Sequence, residues 1–146
     1  MTKEKMVSKV LEIKEYATEQ LEAEVRKARE KLEGEQEKLD SLEKTHASTC
    51  SEFTGRQMNG ALPVREMELY YAYLKHLARQ IEQQKKIVAL RRKEAEERQQ
   101  AVVEAYKEQR LVEILHGKMV SCRVKEADRT EQKEMDYSFI ARKGQR

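Results

Sequence analysis

The sequence predicts an all-α fold, a long antiparallel two-helix coiled-coil hairpin. Three features of its 146 residues carry that reading. Charged residues make up 39% and aromatics only 5%, with one proline and no tryptophan, a profile of long helices rather than a compact core. Apolar residues recur at alternating spacings of four and three, the signature of a left-handed supercoil. Breakers gather in one place near the middle of the chain, between two such stripes.

The first stripe runs Val7, Leu11, Lys14, Thr18, Leu21, Val25, Ala28, Leu32, Glu35, Leu39, Leu42, His46, Thr49 and Phe53. Nine of these 14 positions are apolar, which is enough to drive pairing with a second helix. The first helix is expected over about residues 3–53. Gly34 interrupts it, at a cost of about 1 kcal/mol relative to alanine, and Glu35 beside it on the stripe marks a weak spot.

The segment from Thr54 to Pro63 breaks the pattern with Gly55, Gly60 and the only proline. Gly55 can take the left-handed conformation that ends a helix, and Pro63 suits the start of the next. A reversal is expected over residues 54–63.

The second stripe runs Met67, Tyr70, Leu74, Leu77, Ile81, Gln84, Val88, Arg91, Ala95, Arg98, Val102, Ala105, Gln109, Val112, His116 and Met119. The second helix is expected over about residues 64–140, as part of a single hairpin domain covering 1–146. With the fold centred near residues 58 and 59, residue i should face about residue 117 − i. The second helix would then overhang the first by roughly 25 residues, and a helix of about 75 residues would be on the order of 110 Å long.

Little chemistry is visible. No Gly-rich phosphate loop, HExxH or CxxC motif is present. His46 and His116 fall on the stripes, as polar positions that set register rather than metal ligands. Cys50 and Cys122 read as reduced thiols. Glutamates are so frequent that neighbouring carboxylates carry no catalytic signal; they read as solvated, salt-bridged faces. The net charge is +3, with bases and acids interleaved, which argues against nucleic acid. The start MTKEKMVSKV has no apolar core like a signal peptide's, and no stretch is apolar enough to cross a bilayer. A cytoplasmic, non-enzymatic protein without metal, cofactor or direct membrane insertion is expected.

Two features point to partners. Tyr70, Tyr71 and Tyr73 hold half of the six tyrosines. The seam can bury Tyr70 and Leu74, so Tyr71 and Tyr73 project elsewhere, either as interface anchors or as residues lying over the coil. Lys14, Glu35, Gln84, Arg91, Arg98 and Gln109 put polar groups on the seam, either to fix register or because the hairpin packs inside a larger assembly.

Two segments carry a resemblance. Tyr70–Gln84, YYAYLKHLARQIEQQ, is similar to an aromatic stretch running into an Ile-Glu-Gln-Gln/His element. Glu126–Phe139, EADRTEQKEMDYSF, is similar to a polar run leading to Asp and an aromatic. Both resemble the FliJ family of the bacterial flagellar type III export apparatus, whose members are similar to the central stalk of rotary ATPases. The resemblance implies a stalk linking a hexameric export ATPase to the cytoplasmic domain of the export gate and escorting export chaperones. It would sit peripherally at the cytoplasmic face of the inner membrane, in flagellum biogenesis and motility. By position, it implies gate contacts at Leu42, Tyr73, Leu77, Gln80 and Gln84, and ATPase-ring contacts in the tail at Glu131, Gln132, Lys133, Met135 and Asp136. Thr45 and Thr49 stand where the family often has aromatics. A virulence secretion stalk, or a general coiled-coil adaptor, would share the architecture.

Overall fold

The structure is a computed structural model that describes residues 2–60 and 62–144. It contains two helices packed together, α1 (Lys3–Met58) and α2 (Val64–Gly144), in an all-α helical hairpin with no strand among the described residues. Local chemistry sets the helix ends. Thr2 caps α1: its hydroxyl accepts from the Lys5 N–H at 3.3 Å and its carbonyl from the Met6 N–H at 3.1 Å. Pro63 stands just before α2, where its carbonyl accepts from Glu66 and Met67, both at 3.1 Å.

The turn lies later than the glycine pattern suggests. Gly55 is inside α1 and its carbonyl accepts from Asn59 at 3.2 Å. Gly60 is the residue with φ +69°, which only glycine adopts without strain. A single glycine inside a helix costs about 1 kcal/mol, too little to end α1 when Phe53 and Arg56 are held by α2. The register moves with the turn. The expected folding point would set Lys14 against residue 103 and Arg56 against residue 61. They meet Glu108 (2.9 Å) and Glu66 (2.7 Å), five residues further along, and Gln84, expected against residue 33, meets Glu35, two residues further along.

The chain divides into two compact units, Leu21–Ala101 and Met1–Gln20 with Val102–Arg146. In the first, Val25, Leu39, Phe53, Leu77, Val88 and Ala95 are buried. In the second, Val102 and Thr18 are buried, and the Thr18 hydroxyl donates to the Lys14 carbonyl at 2.8 Å. All of these lie on the two stripes. Arg98 departs from its stripe: it is exposed and reaches Glu24 at 3.3 Å. Exposed pairs of this kind contribute about 0–1 kcal/mol each, so the apolar seam carries the stability.

A polar layer of buried Gln84 and half-buried Glu35 interrupts the seam of the Leu21–Ala101 unit. The Gln84 amide donates to the Glu35 carboxylate at 2.6 Å and to the Glu35 main-chain carbonyl at 2.9 Å. The Gln84 hydrogen bond, joined by the positive charges of Lys38 and Arg91, holds the Glu35 carboxyl below its usual range.

Candidate partner-binding surfaces

Near the turn, an aromatic and ionic cluster ties α1 to α2. The Phe53 ring packs on Tyr70 and Tyr71, with centroids 5.1 and 5.3 Å apart. The Arg56 guanidinium lies 5.8 Å from the Tyr70 ring centroid, donates to the Tyr70 hydroxyl at 3.2 Å and pairs with Glu66. The Tyr70 hydroxyl in turn donates to Glu52 at 3.1 Å. These contacts fix Tyr70 in the fold, while Leu69 and Tyr73 remain exposed beside it. A shallow groove of about 370 Å³ opens beside them, lined by Arg56, Glu66, Leu69, Tyr70 and Tyr73. Leu69 and Tyr73 are exposed, an arrangement of apolar area beside a charged pair that suits a protein partner.

The residues for which the resemblance implies gate contacts separate by depth. Tyr73 is 46% exposed, Gln80 and Leu42 are half-buried, Leu77 is 3% exposed and Gln84 9%. Leu77 is thus committed to the seam and Gln84 to Glu35, so Tyr73 and Gln80 supply most of the accessible surface on α2. On α1, Thr49 donates its hydroxyl to the Thr45 carbonyl at 2.8 Å and presents no ring. Tyr71 is exposed, with one edge resting on Phe53.

The tail is a different kind of surface. Every residue from Ser121 to Gly144 is exposed, and Glu4 with Arg123 (3.0 Å) is the pairing that joins α1 to the start of this segment. Glu131, Gln132, Lys133, Met135 and Asp136 all lie on it, facing solvent. Gln132 donates to Asp136 at 3.3 Å, and Lys143 lies 5.7 Å from the Phe139 ring centroid. Met135, Tyr137, Phe139 and Ile140 are exposed together, although no helix covers them.

Sequence reasoning passed over a third group. Met6, Val10 and Ile13 on α1 and Leu111 and Leu115 on α2 are exposed, each one residue ahead of a seam position. The signal that could have found them is a second apolar stripe beside the first, hidden by the stronger seam.

The titration behaviour is structural. Glu113 is held below the usual carboxylate range by hydrogen bonds from Gln109 and Arg110, as Glu35 is by Gln84. Both shifts arise from hydrogen bonds within the fold. His46 Nδ1 lies 3.9 Å from the Cys50 sulfur, and both cysteines are free thiols. Among the described residues, no group of three His, Cys, Asp or Glu could hold a metal ion, and no helix is long and apolar enough to cross a membrane.

Comparison with known proteins adds one finding. A family model described as "Flagellar FliJ protein" matches residues 4–143. No curated protein and no solved structure matches the chain.

Proposed function

Since this chain belongs to the FliJ family, and is thereby a component of the flagellar protein export apparatus, we propose that it acts there as a non-enzymatic stalk with two separate contact surfaces. The Tyr73–Gln80 face meets the cytoplasmic domain of the export gate, with Leu42 beside it and Leu77 and Gln84 holding it from behind. The tail, through Glu131, Gln132, Lys133, Met135 and Asp136, meets the hexameric export ATPase. Export chaperones are handed over by the same assembly. The protein is peripheral to the membrane, held at the cytoplasmic face through its partners.

The observation that supports this reading best is the exposed tail helix. Bare apolar groups on a helix that α1 does not cover are difficult to explain except as contact area for another protein. The tyrosine face is the second support: a rigid aromatic with half its surface free is cheap contact area, because little side-chain entropy is lost on docking.

The test uses the full chain, the purified gate domain and the purified export ATPase. Tyr73→Ala with Gln80→Ala should weaken gate binding by about 2 kcal/mol or more while ATPase binding stays. Deleting residues 126–146 should do the reverse. If the deletion leaves ATPase binding unchanged, or if both lesions abolish the same interaction, the two-surface reading fails and a general coiled-coil adaptor replaces it.

A further inference from the structure

Within the unit Met1–Gln20 with Val102–Arg146, one side of the helix pair is apolar and bare. Val10 precedes the seam residue Leu11, and Met6 and Ile13 precede Val7 and Lys14. On α2, Leu111 precedes Val112 and Leu115 precedes His116. All five are exposed, Ile13 to 66% and Leu111 to 69%. An axis of twofold symmetry normal to the plane of an antiparallel pair keeps the front of the pair at the front. Residues one place ahead of the seam therefore share one face on both helices. Glu108, one heptad before Leu115, reaches across to Lys14 at 2.9 Å, which puts that edge of α2 against α1. Five large apolar side chains, each between 42% and 69% exposed, form a bare patch of the kind that marks a protein contact.

The charges on this face decide what covers it. Along α2 the face reads Glu104, Glu108, Leu111, Leu115, Lys118. Acids stand at one end, leucines in the centre and a lysine at the other, nearly symmetric about residue 113. On α1, Lys3 occupies the same face at the end where Lys118 lies. A second α2 laid antiparallel on the first brings Leu111 against Leu115 and Glu108 against Lys118, twice over. A parallel arrangement would set like charges together. Glu108 and Glu104 already have exposed lysine partners at 2.9 and 3.4 Å, which are weak and can be shared.

We propose that this face is a homodimer interface, in which two copies of the chain pack face to face with their α2 helices antiparallel about residue 113. The interface is isologous, so each contact occurs twice. It is argued from residues other than those assigned above to the gate and the ATPase, and does not depend on that assignment.

Sedimentation equilibrium of the full chain under reducing conditions tests it. The wild type should dimerise with a micromolar dissociation constant, the lower part of the range that standard interfaces span. Leu111→Asp should raise that constant at least ~100-fold, because it puts two carboxylates at the centre of an apolar contact. Helicity should be retained, since Leu111 touches solvent in the monomer. If it is not, Ile13→Asp on the other helix gives the same readout. Glu108→Lys and Lys118→Glu should each weaken the dimer ~10-fold, and the double exchange should restore it to within ~3-fold. A chain that stays monomeric at several hundred micromolar overturns the proposal and leaves the face to a different protein. A dimer indifferent to Leu111→Asp and Ile13→Asp places the contact elsewhere. Failure of the double exchange to restore pairing rules out the antiparallel arrangement.

Discussion

Two stretches of the same helix, Val64–Ala101 and residues 124–144, are both α-helical, both rich in charge and both sprinkled with large apolar residues. In the first, Leu77, Val88 and Ala95 are buried against α1. In the second, Met135, Tyr137, Phe139 and Ile140 are all exposed. The difference lies in what faces them. A helix that packs gains its stability from the apolar stripe it covers; a helix that stands alone keeps only its intrinsic propensity and its local side-chain pairs. Apolar content therefore does not separate buried from exposed residues here. The presence of a facing helix does.

Truncation should expose that contrast most sharply. Leu77→Ala should destabilise by about 2–4 kcal/mol and Phe53→Ala by about 3–5 kcal/mol, read from thermal or urea melts. Losses near zero would mean that the seam is not where the stability resides. A smaller effect of opposite sign is expected at Gly34. An added methyl there meets nothing within 4 Å, so Gly34→Ala should stabilise by about 0.5–1 kcal/mol through helix propensity alone. A loss instead would reveal a close approach that the structure does not contain.

Acid sharpens the comparison further. The Glu35 carboxyl is lowered by the Gln84 hydrogen bond, so the folded chain binds its proton less readily than the unfolded chain does. Its contribution is present at neutral pH, above the unfolded carboxylate pKa, and is lost as the pH falls through the lower, folded value. Gln84→Leu should flatten that acid limb of the stability profile, and an unchanged limb would assign it to other carboxylates. The smallest effect belongs to the tail: Met135→Ala should leave the melting transition within about 0.5 kcal/mol of wild type. A larger shift would show that the tail packs on something within the chain.

The seam was legible because a two-stranded coiled coil is nearly a one-dimensional pattern. Val25, Leu39, Phe53, Leu77, Val88, Ala95 and Val102 could be read off by counting. The register could not be. It depends on where the chain turns, and Gly55 looked like the stop because helix-interior and helix-ending glycines are the same letter. Only the position with positive φ distinguishes Gly60. The exposure of the residues proposed for partner contact was legible in part. Resemblance drew Leu77 and Gln84 toward a gate contact while periodicity drew them into the seam. In the structure their surface is spent on α1, leaving Tyr73 and Gln80 as the accessible pair. The apolar side at Val10 and Leu111 went unread because hydrophobic residues beside a seam look like a wide seam until their exposure is known.

The cluster at the turn bears on the order of folding. Arg56 and Glu66 are 10 residues apart in sequence, Glu35 and Gln84 49, and Lys14 and Glu108 94. Closing the longest of these loops from an open chain costs about 2 kcal/mol more in entropy than closing the shortest. Once Phe53 has met Tyr70, each further pairing closes only a short increment. The chain thus zips outward from Gly60, and Phe53→Ala should slow refolding while a truncation at Leu11 chiefly speeds unfolding. Pairings formed last are also the first to open. The helix pair around Val7 and Val112 should therefore open before the rest, and amide hydrogen exchange there should be faster than around Val25 and Val88.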